Sequence, residues 1–384
     1  MTLHRIDAAS AQPLASIIVL FLPGSTAVQR CVRSVIENVS ADMPTELLLL
    51  QNGGTQLEPL DVPETANIFY SVQNLGFGGG CNWLSSKARG AYLVFLNDDA
   101  AVGKDWLSPL ISAAERDGTV ASAGSVLVGP SRRIEEAGRV LWRDGVSSGI
   151  GRGVDRVRAS WPEVMEVDHC SACSLLVRRT AFESVGGFDE RYFPAYYEDT
   201  DIALRFRLSG WRNVCVTRSV VEHERSASTN ELWRRFLGLR NHRQFVAKWE
   251  RQLSLFPPRP RDEPSPREVQ RAAAGVRARS DALYHQRPTD GSSVGMTVTK
   301  ESATRESEDP ALLKLELQHA MEELRLKDEY IASLQRSLPE LERALRHIVS
   351  SERRRARRRD LFRRIPLARE VVAAARRLSR RRGE

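Results

Sequence analysis

The residues most suggestive of chemistry are three carboxylates within four positions, in the segment Glu198-Asp199-Thr200-Asp201. Like charges this close repel one another, so such a cluster persists where a cation, a basic partner or a helix N-terminus offsets the repulsion. Asp201 and Arg205 have the spacing of an ion pair on one helical face, which predicts a helix. Glu198 and Asp199 are then expected just before this helix, where a carboxylate could act as a general base in a cleft. Helix capping alone is the alternative interpretation.

A second acidic group, Asn97-Asp98-Asp99, directly follows the apolar run 93–96. Such a run predicts a buried strand, and the carboxyl ends of strands are where α/β proteins bind ligands. Hard oxygen ligands at this place suit Mg²⁺ or Mn²⁺ carrying a diphosphate. Acidic turns after strands are also common without a metal, so this segment alone does not decide the chemistry.

A glycine-rich segment, residues 74–82, precedes that strand. Four of the five residues at positions 76–80 are glycine, which lets the backbone approach a ligand or other backbone closely. The segment is not the dinucleotide-binding fingerprint, because its glycine spacing and the preceding strand are wrong. It is therefore predicted to be a loop, either at a ligand or simply flexible.

The elements that must position these segments alternate between strand and helix along residues 15–250. This alternation is typical of an α/β fold with a mostly parallel sheet flanked by helices, whose ligands bind at the carboxyl ends of the strands. The predicted strands are residues 16–22, 47–50 and 91–96, and the predicted helices are residues 29–39 and 81–90.

Together these segments resemble family 2 of the inverting glycosyltransferases with a GT-A fold, and within it the bacterial rhamnosyltransferase-like group. The resemblance covers residues 15–250 and implies the GT-A sheet of nucleotide-diphospho-sugar transferases. It rests on five blocks in order: the strand–helix–strand start ending in Asn52-Gly53, residues 74–82, Leu96-Asn97-Asp98-Asp99, Gly187-Phe188-Asp189 followed by Glu198-Asp199-Thr200-Asp201, and His223 with Ser226 and Ser228.

The resemblance implies an enzyme that moves a sugar, with rhamnose as a candidate, from a nucleotide-diphosphate sugar to a hydroxyl of a glycan or lipid-linked glycan in cell-surface polysaccharide synthesis. It implies Mg²⁺ or Mn²⁺ bound by Asp99 and His223, which neutralises the leaving diphosphate. It implies that Asp199 is the general base, so that direct displacement inverts the anomeric centre. The residues that it places at the substrates are Gln51, Asn52, Asn74, Gly76, Asn82, Asn97, Asp98 and Glu198.

Three positions depart from the family pattern. The first strand ends in Phe21-Leu22-Pro23 where relatives have Thr-Tyr-Asn, and Ala172 replaces a glycine near the expected acceptor cleft. Gln51 replaces an aspartate, and its amide can still pair with a pyrimidine base but carries no charge. These departures motivate a second hypothesis, a non-catalytic GT-A-like scaffold protein of a polysaccharide assembly complex.

Two smaller motifs have simple interpretations. Cys170 and Cys173, beside His169, have the spacing of a metal or redox pair, but no second cysteine pair completes a tetrahedral site. Both cysteines are therefore predicted to be core residues. The basic group at positions 240–243, Arg-Asn-His-Arg, is predicted to be a solvated helix face, with contact to a diphosphate or lipid phosphate as the alternative.

The net charge of +8 lies in the C-terminal tail rather than in the body of the chain. Residues 351–384 contain fourteen arginines against four acidic residues, a net charge of +10, and the rest of the chain carries −2. A basic tail with an apolar stripe predicts peripheral association with an anionic membrane surface. An acidic protein or nucleic acid is the alternative partner, and no specific nucleic-acid binding is expected.

A heptad of apolar residues over positions 313–348, broken at Pro339, predicts a C-terminal coiled-coil extension and a homo-oligomer, or else a helix packed on the main domain. The predicted regions are a flexible N-terminus (1–14), a GT-A glycosyltransferase domain (15–256), a flexible linker (257–310), a coiled-coil helical segment (311–350) and an Arg-rich amphipathic tail (351–384).

The expected location is the cytoplasm, with peripheral association at the cytoplasmic face of the membrane. No run of 18 apolar residues predicts a membrane-spanning helix, and the N-terminus has no secretory signal pattern. Five cysteines, an odd number, favour a reducing compartment over a disulfide framework.

Overall fold

The computed structural model describes residues 12–40, 42–54, 59–156, 161–224 and 231–286. The heptad and the basic tail lie outside these residues, so both stay predictions.

The strands are β1 (Ala15–Phe21), β2 (Thr45–Asn52), β3 (Asn67–Ser71), β4 (Tyr92–Asn97), β5 (Ala100–Val102), β6 (Val120–Val128), β7 (Ile134–Glu136), β8 (Arg139–Leu141), β9 (Ser147–Gly149), β10 (Val164–Glu166), β11 (Ser174–Arg178) and β12 (Arg212–His223). The helices are α1 (Val28–Asn38), α2 (Gly76–Ser85), α3 (Leu107–Arg116), α4 (Arg179–Ser184), α5 (Glu198–Leu208), α6 (Glu231–Leu253), α7 (Pro266–Ala274) and α8 (Val276–His285), with a 3-10 helix at Glu190–Tyr192. Within the described ranges, no helix is both long enough and apolar enough to cross a bilayer.

One large sheet holds most of the strands, in the order β10-β12-β6-β11-β4-β1-β2-β3. Strands β4, β1, β2 and β3 pair in parallel, and β12 is parallel to β6. Between these two groups β11 runs antiparallel to both of its neighbours. Because β11 runs the other way, it begins where β4 ends, with Ser174 opposite Leu96. The architecture is the predicted mostly parallel sheet flanked by helices.

Alternate residues of the central strands enter two separate cores, one on each face of the sheet. Ile18 and Phe95 belong to one core, and Val19 and Val94 belong to the other. This follows from the pleat, in which successive side chains point to opposite faces. Each fully buried side chain of this size contributes about 1.5–3 kcal/mol to stability. Since both faces are covered, the strand ends are the place left for ligands.

The glycine-rich segment is helical rather than the predicted loop. Helix α2 begins at Gly76, so the helix predicted over residues 81–90 is shifted towards the N-terminus. Close packing requires glycine here: a Cβ at Gly80 would lie 2.3 Å from the side chain of Leu20, and one at Gly76 would lie 2.8 Å from Phe193. These tertiary contacts override the low helix propensity of glycine.

The predicted flexible linker over residues 257–310 is wrong for residues 266–285, which form α7 and α8. A capping box starts α7, in which Ser265 accepts from the backbone N–H of Glu268. In α8, Arg279 donates to the buried carboxylate of Asp168 over 2.8 Å, and Arg207 pairs with the same carboxylate over 2.7 Å. These polar contacts hold α8 to the domain together with the buried Val276 and Leu283, and sequence periodicity does not record the polar part.

Substituting Arg279→Met is expected to lower the free energy of unfolding by about 1–3 kcal/mol, because Asp168 stays buried with one charged partner fewer. Urea unfolding followed by circular dichroism measures the change. Arg277→Met is the matched control on the same helix, since the Arg277 side chain is 61% exposed and exposed ion pairs contribute little. Equal losses in the two variants would contradict the anchoring role of Arg279.

Candidate functional site

The two predicted metal ligands meet where β4, β5 and β12 come together. Asn97 ends β4, the turn Asp98-Asp99 follows, and Ala100 begins β5. The end of β12 pairs antiparallel with β5, which places His223 opposite Ala100. This register brings His223 Nε2 to 3.4 Å from Asp99 Oδ1.

His223 lies among two carboxylates and a thiol. Its Nδ1 is 3.1 Å from Glu135 Oε2, and Cys173 also hydrogen bonds with the ring. Burial lowers the pKa of His223, but the hydrogen bonds with Asp99 and Cys173 outweigh burial and raise the pKa to about 11. At this pKa the ring carries a proton, and Asp99 and Glu135 hold the resulting cation. A divalent ion bound by the ring must replace this proton.

Two residues that the sequence did not single out support the acidic turn. Glu135, in β7, contacts the imidazole of His223. Ser25, in the loop after β1, donates from Oγ to Asp98 Oδ2 over 2.6 Å. Burial raises the pKa of Asp98, and the hydrogen bond from Ser25 opposes this. The sequence signals were the adjacent carboxylates at 135–136 and a hydroxyl soon after the first predicted strand.

The chemistry of this pair fits a hard divalent ion. Among the described residues, no group of three or more His, Cys, Asp or Glu side chains could hold a metal by itself. Asp99 and His223 would supply two ligands, so diphosphate oxygens and water would fill the other positions of a six-coordinate Mg²⁺ or Mn²⁺. An ion at this site is therefore expected to bind together with a nucleotide.

Asp199 lies in the first turn of α5, not before the helix as predicted. Its Oδ1 accepts from the backbone N–H and the hydroxyl of Thr200 at 2.6 and 3.1 Å, and its Oδ2 is 3.4 Å from the backbone N of Ala172. Burial raises the pKa of Asp199, and Arg139 and these hydrogen bonds oppose the rise only in part. A raised carboxyl pKa strengthens a proton acceptor. The side chain is partly exposed, so a hydroxyl can reach it.

The neighbouring carboxyl group, that of Glu198, has a different environment. Glu198 is 7% exposed, and among the described residues its Oε2 finds no hydrogen-bond partner. Burial, and then the charge of Asp199, raise the pKa of Glu198 well above its ordinary value. Burial therefore favours the protonated form of Glu198, whereas Arg139 and hydrogen bonds oppose the rise in the pKa of Asp199. Adjacent carboxyl groups in such different environments can serve as an acid and a base.

The segment before β11 joins the predicted metal pair to the predicted base. Because β11 begins beside the end of β4, the backbone N–H of Asn97 donates to the carbonyl of Cys173 at 3.0 Å. The thiol of Cys173 hydrogen bonds with His223, while the preceding Ala172 faces Asp199 through its N–H. The predicted metal pair and the predicted base therefore border one region of the molecule.

The third carboxylate of the acidic segment, Asp201, anchors α5 to its surroundings. It accepts from Arg205 Nε at 2.8 Å, which confirms the predicted helical pair. Two side chains of α6 contact Asp201 Oδ1, with Lys248 Nζ at 2.6 Å and Trp249 Nε1 at 2.8 Å from it. The hydroxyl of Tyr192 lies 3.2 Å from the same oxygen. These partners offset the repulsion that the sequence predicted among the three carboxylates.

Cys170 and Cys173 are buried and not joined by a disulfide, which confirms their prediction as core residues. His169 beside them is also buried. Burial, and then the charge of Arg139, lower the pKa of His169 to about 3, so the ring is neutral. In the described part of the chain, these side chains therefore form no metal cluster.

Four predicted substrate residues lie together at the start of α2. Asn52 accepts from the backbone N–H of Leu75 at 2.7 Å and donates to the carbonyl of Gly76 at 3.0 Å. Asn74 accepts from the N–H of Gly76 at 2.8 Å, and the buried Gln51 donates to a nearby backbone carbonyl at 3.1 Å. These amides stabilise the backbone at the N-terminus of α2, beside the carboxyl end of β2. Their contact with a nucleotide stays a prediction.

The amide of Asn82 connects α2 with the turn before α5. Its Nδ2 donates to the carbonyl of Phe188 at 2.9 Å and to Glu190 Oε1 at 3.1 Å. Its Oδ1 accepts from the N–H of Phe188 at 2.8 Å. Both N–H groups of Asn82 are therefore used within the domain, so a substrate acceptor could bind Asn82 only if one of these hydrogen bonds breaks.

Two tyrosines immediately before α5 have a left-handed backbone, with φ 81° at Tyr196 and 77° at Tyr197. Bulky residues in this region cost roughly 1–3 kcal/mol each, and such strain concentrates at functional sites. The ring of Tyr197 packs against Phe245 with 5.1 Å between centroids, and its hydroxyl donates to the carbonyl of Gly145 at 3.3 Å. The surrounding structure thus maintains a strained turn next to the acidic segment.

The sequence of residues 16–185 matches the family model described as Glycosyl transferase family 2. These residues form a family 2 glycosyltransferase domain. The match includes Asp99 and ends before Asp199 and His223. The family 2 domain confirms the predicted family and supports the predicted class of enzyme.

Two curated relatives are similar in sequence to part of this chain. The O-antigen biosynthesis protein RfbC of Myxococcus xanthus is 35% identical over 161 residues, which are 38% of this chain and 12% of the relative. The N-acetylglucosaminyl-diphospho-decaprenol L-rhamnosyltransferase of Mycobacterium tuberculosis (strain CDC 1551 / Oshkosh) is 29% identical over 217 residues, 50% of this chain and 70% of the relative. The chain therefore spans a small part of the first relative and most of the second.

A solved structure shows the same architecture. The crystal structure of GalNAc-T7 with UDP, GalNAc and Mn²⁺ is 16% identical in sequence, with a TM-score of 0.51. The match covers 63% of this chain and 49% of the GalNAc-T7 chain. This likeness confirms the predicted GT-A fold of the family 2 domain.

Proposed function

We propose that this protein is a metal-dependent inverting glycosyltransferase that moves a sugar from a nucleotide-diphosphate sugar to an acceptor hydroxyl. The observation that carries the proposal is the meeting of the Asp99–His223 pair with Asp199 across residues 172–173. An inverting displacement needs positive charge at the leaving diphosphate and a base at the incoming hydroxyl. This region offers ligands for the first and a carboxylate for the second.

Each of these residues has a separate role in the proposed reaction. Asp99 and His223 would hold the divalent ion, whose charge would stabilise the departing diphosphate. Asp199 takes the proton of the acceptor hydroxyl while its oxygen attacks the anomeric carbon. The bond to the diphosphate breaks on the opposite face, so the anomeric configuration inverts. Glu198 stays protonated, which keeps a second charge away from Asp199.

For the substrates we propose a deoxyhexose donor, nucleotide-diphosphate rhamnose, and a glycan or lipid-linked glycan acceptor of surface polysaccharide synthesis. The relatives support this proposal, since one is named for O-antigen biosynthesis and the other as an L-rhamnosyltransferase of N-acetylglucosaminyl-diphospho-decaprenol. An acceptor of this kind would place the enzyme at the cytoplasmic face of the membrane.

A donor screen tests the proposed function. Purified protein is incubated with a panel of nucleotide sugars, with MgCl₂, MnCl₂ or EDTA, and release of the nucleoside diphosphate is measured. Release from one donor that depends on the metal supports the proposal. No release from any donor with either metal, together with no donor binding by calorimetry, would favour the scaffold hypothesis, which the uncharged Gln51 motivates.

Membrane association is proposed for the Arg-rich tail, and it has a direct test. The full chain is expected to float with phosphatidylglycerol vesicles, because each arginine near an anionic surface contributes about 1 kcal/mol. A chain that ends at residue 350 should stay at the bottom of the gradient. Added salt should weaken flotation of the full chain, since it screens these charges. Equal flotation of the two chains would reject a role for the tail.

A further inference from the structure

One buried amide on α6 contacts the loop that leads into α5. The side chain of Asn241 is fully buried. Its Nδ2 lies 2.9 Å from the carbonyl oxygens of Tyr192 and Ala195 and 3.0 Å from that of Tyr196. Its Oδ1 accepts from Arg240 at 2.9 and 3.0 Å, which fixes the amide with its N–H groups towards the loop. The predicted solvated helix face is therefore wrong for Asn241.

Of the three carbonyls, that of Tyr196 belongs to the strained turn, that of Ala195 directly precedes it, and that of Tyr192 ends the 3-10 helix before it. Tyr196 and Tyr197 both have positive φ, and Glu198 and Asp199 follow them directly. Tyr197 is held by its own ring and hydroxyl, whereas the side chain of Tyr196 is 37% exposed. The left-handed backbone of Tyr196 is instead held at its carbonyl, by Asn241.

Other residues of α6 also contact this loop or α5: Arg240 donates to the carbonyl of Phe193, and Phe245 packs against the ring of Tyr197. Lys248 and Trp249 bind Asp201, which lies inside α5, after the strained turn. These contacts hold the helix to α6 whether or not the amide of Asn241 is present. Removal of the amide should therefore release the turn while α5 and α6 stay docked.

We infer that Asn241 is a positioning residue: its amide holds the strained turn before α5 and thereby aims the carboxylate of Asp199 at the acceptor hydroxyl. The inference rests on the proposed function, because it takes Asp199 as the base. It also predicts what a general structural defect would not produce, namely a loss in turnover without a loss of donor binding. The proposed metal pair of the donor side, Asp99 and His223, is positioned by the pairing of β12 with β5, away from this turn.

Kinetics of Asn241→Ala test the inference. We expect kcat to fall by about 10- to 100-fold, since misplacement of a reacting group by an ångström has effects of this size. The dissociation constant of the donor with Mn²⁺, measured by calorimetry, should stay within about threefold of wild type. Gln244→Ala, which removes an exposed amide one turn along the same helix, is the matched control. Wild-type kcat in Asn241→Ala, or equal losses in kcat and donor affinity, would overturn the inference.

A second substitution distinguishes positioning from simple destabilisation. Glycine adopts positive φ without steric cost, so Tyr196→Gly lowers the strain that Asn241 opposes. The loss of kcat caused by Asn241→Ala should therefore be at least about threefold smaller in a Tyr196→Gly background. An identical loss in both backgrounds would show that Asn241 does not act through the backbone of this turn.

Hydrogen exchange separates failure of the inference from failure of the proposed function. In Asn241→Ala, amide exchange should become faster in residues 193–200 and stay unchanged in β1 and β4. This readout needs no donor or acceptor, so it holds even if wild-type protein transfers no sugar. If Asn241→Ala does not fold, Asn241→Ser keeps one donor and should give intermediate exchange. Unchanged exchange at 193–200 in a folded variant would overturn the inference.

Discussion

Replacing Asp199 by asparagine is expected to lower kcat by about 10²- to 10⁴-fold, the usual contribution of a general base. Asparagine has the same size, and its carbonyl oxygen can still accept from the N–H of Thr200. The substitution therefore preserves the turn and removes the ionisable oxygen. Steady-state kinetics at saturating acceptor measures kcat, and calorimetry with donor and Mn²⁺ should show donor affinity close to that of wild type.

Glu198→Gln is the matched comparison, because it alters the adjacent carboxyl group. Burial raises the pKa of Glu198 and so favours its protonated form, which has nearly the shape of an amide. We therefore expect a loss of at most about tenfold, equivalent to about 1.4 kcal/mol of barrier. Wild-type turnover in Asp199→Asn, with turnover abolished in Glu198→Gln, would reverse the assignment of the base.

The pKa of Asp199, the proposed base, sets the direction of the expected pH dependence. Because burial raises the pKa of Asp199, the acid limb of kcat/KM should lie above the value of about 3.9 for an exposed aspartate. Activity should rise with pH through this limb, as Asp199 loses its proton and becomes able to accept another. In Asp199→Asn the residual rate should lack this limb, which a pH profile at constant ionic strength measures.

Contiguous parts of the site could be predicted from the sequence, because each of them needs only one strand end or one helix start. The turn Asp98-Asp99 follows an apolar strand, and its position at the sheet edge follows from that strand alone. The pair Asp201–Arg205 is a local helical spacing, and the structure confirms it at 2.8 Å. Short-range patterns carry this information in the chain itself.

The assembly of the site depends on pairings between distant residues, which no local pattern records. His223 reaches Asp99 through the register of β12 with β5, and Cys173 lies beside them because β11 is inserted antiparallel. Asn241 and α8 escaped prediction for a related reason. Polar side chains on helices fix them to distant backbone and carboxylate groups, whereas periodicity reports apolar faces.

A second large loss of activity is expected from a substitution at Asp99, one of the two proposed metal ligands. Asp99→Asn is expected to weaken binding of the nucleoside diphosphate product with Mn²⁺ by at least about tenfold, and to lower kcat/KM by about 10²-fold or more. The reason is that, in the proposed ligand set of Asp99 and His223, Asp99 contributes the negative charge, whereas asparagine would offer only a neutral amide oxygen. Calorimetry with the diphosphate and MnCl₂ measures the affinity, and the electron paramagnetic resonance signal of free Mn²⁺ measures ion uptake.

Asp105→Asn is the control, because it removes an exposed carboxylate a few residues further along the chain. The backbone of Asp105 has φ 58°, a conformation that asparagine also tolerates, so the control should not disturb the fold. EDTA should weaken diphosphate binding strongly in wild type and in Asp105→Asn. The effect of EDTA should be much smaller in Asp99→Asn, because this variant has already lost most of the metal-dependent affinity for the diphosphate. If Asp99→Asn and Asp105→Asn bind the diphosphate equally well with Mn²⁺, the ion is not held by this turn. The charge on the leaving diphosphate would then have to be offset by another group, and His223 would be a structural cation between Asp99 and Glu135.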